Sequence, residues 1–318
     1  MASGMATDGL DLEAIRWARE RIRGVVLPTP VVSSPRLSEE AGAEVLLKCE
    51  NLQHGGAFKA RGACNAVFQL TEEEARAGVV THSSGNHAAA LARAARRRGI
   101  PAHIVMPRDS AATKLDAVRR LGVAPVLCAP TAEARQAEAD RIVRETGATL
   151  VHPYNDARVI AGQGTVGLEI AEQAEGLDAV IVPVSGGGLL SGCLIALKTL
   201  RPSVRVYGAE PEWADDAHRS LASGRIEKPT RYDTMADGLR APLGSLTFAI
   251  IRDLVDGILL AGEADILNAT RMTLTHAKLV AEPSGAVPLA CLLAHRERFA
   301  GQRVVLVVSG GNLDLSIL

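Results

Sequence analysis

Short runs of aliphatic and β-branched residues alternate along the chain with longer Ala-rich stretches in which apolar positions recur every three or four residues. Runs that are apolar without alternation suit strands buried on both faces, and the three-to-four spacing suits the helices that cover them. On this pattern strands are expected at 45–49, 78–82, 102–105, 124–127, 179–184, 204–207 and 303–308. Helices are expected at 12–24, 86–98, 132–145, 160–173 and 189–200. Strands and helices that take turns predict an α/β fold with mostly parallel sheets flanked by helices. Ligands in such sheets sit at the carboxyl ends of the strands. Three glycine-bearing turns fall there: Ser83 to His87, Ser185 to Gly188 and Ser309 to Asn312.

Composition narrows the class. With 318 residues the chain is long enough for two lobes of one enzyme, and a net charge of -1 gives no basic surplus for nucleic acid or an anionic membrane. No apolar run approaches the ~20 residues of a membrane span. Residues 1–9 are small and polar, without the apolar region of a signal peptide, and are expected to be a disordered lead-in. Cys49, Cys64, Cys128, Cys193 and Cys291 form no CxxC pair, so they are expected as small buried residues of a reducing, cytoplasmic protein.

Two of the polar interruptions carry chemistry. Ser185-Gly186-Gly187-Gly188 follows an apolar strand and opens a helix, where backbone N–H groups and the helix N-terminus favour a phosphate. Alone this is a weak signal, because a ligand-free tight turn looks the same and the spacing also imitates a dinucleotide fingerprint. The second is Gly55-Gly56-Ala57-Phe58-Lys59-Ala60-Arg61-Gly62. Most lysines in a helix's first turn are solvated. Lys59 follows an aromatic residue and two glycines, and a lysine held among apolar or cationic groups has a lowered pKa and forms imines. A lysine and a phosphate cup together are the two anchors that pyridoxal phosphate needs.

Gly-Ala-Phe-Lys-x-Arg-Gly at 56–62, Ser-Ser-Gly-Asn-His at 83–87, Ser-Gly-Gly-Gly-Leu at 185–189 and Ser-Gly-Gly-Asn at 309–312 resemble the fold-type-II pyridoxal-phosphate enzymes. The likeness is to the serine racemase and serine/threonine dehydratase branch, and most of all to its plant-type racemases. His-Pro-Tyr-Asn-Asp at 152–156, Ala-Gly-Gln-Gly-Thr at 161–165, Ala-Asp-Gly-Leu-Arg at 236–240 and Glu-Pro-Ser-Gly-Ala at 282–286 extend it over nearly the whole chain. The resemblance implies a tryptophan synthase β-like fold of two open twisted sheets. A large lobe would be built from 1–72 and 148–318, with a small mobile lobe, 73–147, inserted in it.

The same resemblance implies roles. Lys59 would carry the cofactor as an imine and act as base on one face of the substrate Cα. Phe58 and Gly238 would flank the ring, Asn86 would donate to its phenolic oxygen, and Ser309 would meet its nitrogen. Gly186, Gly187, Gly188 and Leu189 would hold the phosphate, with Ser185 beside them. Ser83, Ser84, Gly85, Asn86 and His87 would hold the substrate carboxylate, with Arg135 closing that site and Tyr154 near the substrate side chain. His87 is read as packing there rather than shuttling protons. Glu210, the Ala214 carbonyl and Asp216 would bind Mg²⁺ or Ca²⁺, a donor set that suits a hard cation completed by water. A homodimer is implied as well.

Two positions bear on the reaction. A hydroxyl such as Ser309 cannot keep a pyridine nitrogen protonated, so the cofactor is a weaker electron sink; amino transfer is disfavoured and loss of a β-hydroxyl favoured. Inversion at Cα needs a proton donor opposite Lys59, and Ser84 stands where related threonine dehydratases carry Ala; the plainer role for Ser84 is to cap the next helix. Serine racemisation with accompanying elimination to pyruvate and ammonia is therefore expected. The alternative is a threonine/serine or 3-hydroxyaspartate dehydratase, and the remote one a dinucleotide-dependent oxidoreductase or a non-catalytic binding protein. Ala57 and Tyr154 depart from other members near the substrate pocket. Ala89 replaces the glutamine with which animal racemases bind a nucleotide activator, which argues against such activation.

Overall fold

The computed structural model describes residues 9–83 and 85–317. Its strands are β1 (Val31–Ser33), β2 (Glu44–Cys49), β3 (Val79–His82), β4 (Ala102–Pro107), β5 (Val126–Cys128), β6 (Thr149–Leu150), β7 (Ala179–Pro183), β8 (Arg205–Pro211), β9 (Gly257–Ala261) and β10 (Arg303–Val308). They make a six-stranded sheet in the order β1-β2-β10-β7-β8-β9 and a four-stranded sheet in the order β5-β4-β3-β6. Within these ladders every pairing is parallel except β1 with β2. No helix among the described residues is long and apolar enough to cross a membrane.

Side-chain alternation divides the large sheet between two cores. Val304, Leu306 and Val308 of β10, with Ala179 and Ile181 of β7, face one core, which takes in helix Pro283–Ala294. Val305 and Val307, with Val180 and Val182, face the other, which takes in helix Gly188–Leu200. The small sheet divides likewise: Val79, Ile104 and Met106 face one cluster, and Val80 and Val105 the opposite one.

One buried helix positions the candidate chemistry. Helix Ala157–Gln173 starts at Asp156, whose carboxylate accepts from Arg158 N, and it is buried without a break from Val159 to Ala171. A Cβ on its Gly162 would lie 2.6 Å from Gly62 Cα, so helix Lys59–Phe68 packs backbone to backbone against it. A Cβ on Gly192 would lie 2.5 Å from Gly164 N, which brings helix Gly188–Leu200 equally close. The first residues of these two helices, Lys59 and Gly188, and the segment before the central helix meet at one end of this bundle.

Arg61 fixes that arrangement from within. Its guanidinium is buried and bonds Glu50 twice, at 2.8 and 2.7 Å, and Glu169 twice, at 2.6 and 2.8 Å. Glu169 also pairs with buried Lys48. The helix that begins with Lys59 is thus tied to the end of β2 and to the central helix by a fully hydrogen-bonded charge cluster.

Candidate active site

Lys59 is half-buried at its helix start, and its Nζ donates to Pro153 O at 2.7 Å. The Phe58 ring lies beside it, 5.1 Å from Nζ to centroid. Burial pushes its pKa down to about 8. Lys48 is also buried, but Glu169, Thr29 O and Gln173 accept from its ammonium. No described carboxylate pairs with Lys59, so its charge is held less firmly and its free amine is accessible near neutral pH.

Tyr154, next to the carbonyl that Lys59 bonds, packs on the glycine turn. A Cβ on Gly186 would overlap the Tyr154 ring, and one on Gly188 would lie 3.1 Å from Tyr154 Cα. Gly187 has φ +90°, a conformation that side chains disfavour. Leu189 is buried in the helix first turn. Ser185 faces away from the turn, its Oγ donating to Ala241 O at 3.1 Å and accepting from Ala241 N at 3.0 Å. The glycines add no side chain of their own at this helix N-terminus, and its N–H groups suit a phosphate.

The third glycine turn closes the opposite side. Phe58 N donates to Ser309 O at 3.0 Å, and Ala57 bridges Gly310. Ser309 is buried, and its hydroxyl bonds no described residue. Asn86 Nδ2 donates to Glu282 Oε1 at 2.9 Å, and Asn86 Oδ1 accepts from Asn312 Nδ2 at 2.9 Å; the second N–H of the amide is left over. Burial, and secondarily the charge of Asp237, pushes Glu282 up to about 7. Gly238 N donates to Ser284 Oγ at 3.0 Å, so Gly238 joins the group through the Ser284–Gly285 turn that packs on Gly310.

In the 83–87 loop, Ser83 Oγ accepts from Gly85 N at 3.3 Å, and Gly85 precedes helix Asn86–Arg98. Ser84 lies outside the described residues. His87 is buried with Nε2 3.3 Å from Val151 O, and burial holds its pKa well below the usual range, an environment that fits packing rather than proton transfer. Arg135 stands on helix Ala132–Thr146 with Nε donating to Thr131 O at 3.4 Å. No described carboxylate pairs with it, and its charge is felt by His82 and Tyr154.

Sequence reasoning passed over His82, His152, Glu282 and Asn312. The His152 ring stands edge-on to Tyr154 at 4.6 Å and to His82 at 5.4 Å. Burial pushes His152 down to about 4, and its Nδ1 accepts from Asn155 N at 3.0 Å, so it is a neutral wall of the site. The motifs 152–156, 282–286 and 309–312 contained the signal for three of the four.

Glu210, Ala214 and Asp216 form a separate cluster behind the glycine turn. All three are buried. Glu210 accepts from Ala217 N and His218 N, each at 3.0 Å, and Asp216 Oδ2 accepts from Leu243 N at 3.2 Å. Asp216 Oδ1 has no hydrogen-bond partner among the described residues. Burial and, for Glu210, the neighbouring Asp216 raise both carboxyl pKa values. No set of three or more His, Cys, Asp or Glu side chains converges among the described residues.

A desolvated lysine beside a glycine turn at a helix N-terminus, on a fold of two mostly parallel sheets, fits a pyridoxal-phosphate-dependent enzyme of fold type II. The sequence model of the pyridoxal-phosphate dependent enzyme family matches residues 22–310, and the chain belongs to that family. It is 49% identical over 301 residues to the β-hydroxyaspartate dehydratase of Paracoccus denitrificans, covering 95% of this chain and 96% of the relative. It is 46% identical over 313 residues to the serine racemase of Arabidopsis thaliana, covering 97% and 95%. The structure of maize serine racemase, 45% identical, superposes with a TM-score of 0.94 over 96% of this chain and 94% of that one. The resemblance implied by the motifs is thus borne out for family and fold, and a dinucleotide-dependent oxidoreductase is set aside.

Proposed function

We propose that the chain is a serine racemase that also eliminates water from serine, releasing pyruvate and ammonia. The observation that carries this is the Lys59 amine, desolvated and paired with no described carboxylate, beside the glycine turn. When bound, pyridoxal phosphate supplies an electrophilic aldehyde and a conjugated ring that takes up the electrons of a Cα–H bond. In this proposal Lys59 anchors the group, Gly186 to Leu189 grip its phosphate, Phe58 and Gly238 flank its ring, and the spare N–H of Asn86 meets its phenolic oxygen. Ser309 faces the ring nitrogen with a hydroxyl, which favours expulsion of a β-hydroxyl over amino transfer.

The chain's own groups then move protons. Lys59 Nζ takes the Cα proton on one face, and Pro153 O steadies the ammonium it becomes. Ser84 returns a proton on the other face, giving the opposite enantiomer with no net change in atoms. Elimination instead expels the β-hydroxyl as water, and hydrolysis takes one water back, leaving pyruvate and ammonia. Ser83, Gly85 and Asn86 hold the carboxylate, and neutral His87 packs behind them. We further propose that 73–147 is a small mobile lobe that closes over the substrate, that the enzyme is a cytoplasmic homodimer, and that Glu210, the Ala214 carbonyl and Asp216 hold Mg²⁺ or Ca²⁺. The unpartnered Asp216 Oδ1 supports the cation.

A second reading is 3-hydroxyaspartate or threonine dehydration, and one observation favours its 3-hydroxyaspartate form: Arg135 pairs with no described carboxylate and its charge reaches Tyr154, as a site for a second carboxylate would require. A chiral amino-acid assay with both serine enantiomers, run beside identification of the 2-oxo acid released from serine, threonine and 3-hydroxyaspartate, decides. Interconversion of the serines supports the first reading. Release of oxo acid without any inversion overturns it.

A further inference from the structure

The back of the glycine turn is held by a segment remote in sequence, 241–247. Ser185 and Ala241 exchange two hydrogen bonds, at 3.1 and 3.0 Å. Thr247 is fully buried; its Oγ1 donates to Gly186 O at 2.7 Å and accepts from Gly244 N at 2.9 Å. Gly186 O and Gly187 N belong to one planar trans peptide, in which C=O and N–H point in opposite directions. Thr247, by holding the carbonyl behind the turn, aims the Gly187 N–H at its front, where the phosphate would sit. The same segment is gripped from its far side, because Leu243 N donates to Asp216 Oδ2 at 3.2 Å. The other Asp216 oxygen is the unpartnered one.

We infer that segment 241–247 couples the carboxylate pair to the phosphate turn, with Thr247 as the positioning residue, so that a divalent cation at Glu210 and Asp216 raises the affinity for pyridoxal phosphate. This rests on the cation site proposed above. A cation that ligates Asp216 Oδ1 leaves Oδ2 fixed beneath Leu243 N–H. Without it, two buried carboxylates repel across the pair, the Pro242–Leu243 peptide loses the anchor of its N–H, and the adjoining Leu243–Gly244 peptide, whose N–H donates to Thr247 Oγ1, is held less firmly. Linkage makes the effect reciprocal: the cofactor strengthens cation binding by the same factor.

The test uses apoenzyme titrated with pyridoxal phosphate, followed by its visible band, in MgCl₂ or in EDTA, with calorimetric titration of MgCl₂ or CaCl₂ alone beside it. For the wild type, chelation raises the Kd for pyridoxal phosphate about fivefold or more, the lower end of ordinary coupling between sites. Thr247→Val, which removes the short hydrogen bond to the Gly186 carbonyl and leaves it only the 3.5 Å contact from Gly244 N, raises that Kd about tenfold in Mg²⁺ and removes the response to chelation. Thr247→Ser keeps the hydroxyl and follows the wild type. If Thr247→Val does not fold, Asp216→Asn serves: its Kd in either buffer matches that of chelated wild type. Calorimetric cation binding without change in the cofactor Kd overturns the coupling and leaves the cation site standing. Absence of cation binding overturns both. A Thr247→Val protein with wild-type affinity and response removes Thr247 from the relay.

Discussion

Replacing Gly187 with alanine adds one methyl group at the centre of the phosphate turn, and the structure gives its cost in two parts. The backbone there has φ +90°, and a non-glycine residue in the left-handed region costs about 1–2 kcal/mol. The new Cβ would also lie 2.8 Å from Thr247 Cβ, 2.8 Å from Ile251 Cδ1 and 2.9 Å from Leu243 Cδ2. Carbon contacts are optimal near ~3.5–4.0 Å, so each neighbour is roughly an ångström too close. Ile251 and Leu243 present the ends of flexible side chains, but Thr247 Cβ is held by the hydrogen bonds of its own hydroxyl. Overpacking of this kind costs about 1–3 kcal/mol, for a total of about 2–5 kcal/mol shared between apoenzyme stability and cofactor affinity. Gly99→Ala is the control: φ there is +75° with nothing within 4 Å, so it carries the backbone part alone. Urea unfolding of both apoproteins and titration with pyridoxal phosphate measure the two shares. Gly187→Ala should lose more stability than Gly99→Ala and weaken the cofactor at least tenfold, whereas Gly99→Ala leaves the cofactor Kd unchanged. Equal destabilisation of the two, with Gly187→Ala binding cofactor within twofold of wild type, would refute the packing assigned to this turn.

With Lys59 pushed down to about 8, the reactive free amine grows as pH rises towards that value and saturates above it. The rate at which apoenzyme captures pyridoxal phosphate, read by stopped-flow absorbance, should therefore rise about tenfold per unit below 8 and level off by about 9; a climb continuing to 10.5 contradicts a desolvated amine. Arg61→Met breaks a buried pair on both sides and should cost about 3–5 kcal/mol in urea unfolding, while a loss under 1 kcal/mol would show that Glu50 and Glu169 are satisfied without it. Ser84→Ala should abolish serine inversion while leaving pyruvate release largely intact, and equal loss of both would take Ser84 out of the mechanism.

The parts of the fold that could be read from the chain are those fixed by local pattern. The run 303–308 is apolar throughout and is strand β10 without adjustment. Helix Asn86–Arg98 ends at Gly99 in the left-handed conformation, as an Ala-rich stretch followed by glycine suggests. Strands β1, β6 and β9 went unread. The first two have three and two residues, too few for a period, and β9 begins at a glycine and exists because β8 offers it an edge. The same pairing carries β8 on to Pro211, well past 207. Helix Ala157–Gln173 begins three residues before the apolar period does, at the cap of Asp156.

The site divides in the same way. Lys59 and the glycine turns announce themselves, because a lysine after Gly-Gly-Ala-Phe and three glycines after a strand are local departures from pattern. Thr247 does not, since it meets Gly186 only through tertiary packing across 61 positions. Arg61 finds Glu169 across 108. Lys48 within an apolar strand and Glu169 within a buried helix were visible as charges out of place, but only packing reveals that they answer one another.

Covalent attachment at one lysine is the most direct point of test. Holoenzyme reduced with borohydride, digested and mapped by mass spectrometry should carry a single pyridoxyl group, on the peptide containing Lys59, with loss of the visible band. A label on Lys48 or any other lysine, or a band that survives reduction with no label at all, would contradict the assignment of Lys59 and the chemistry built on it.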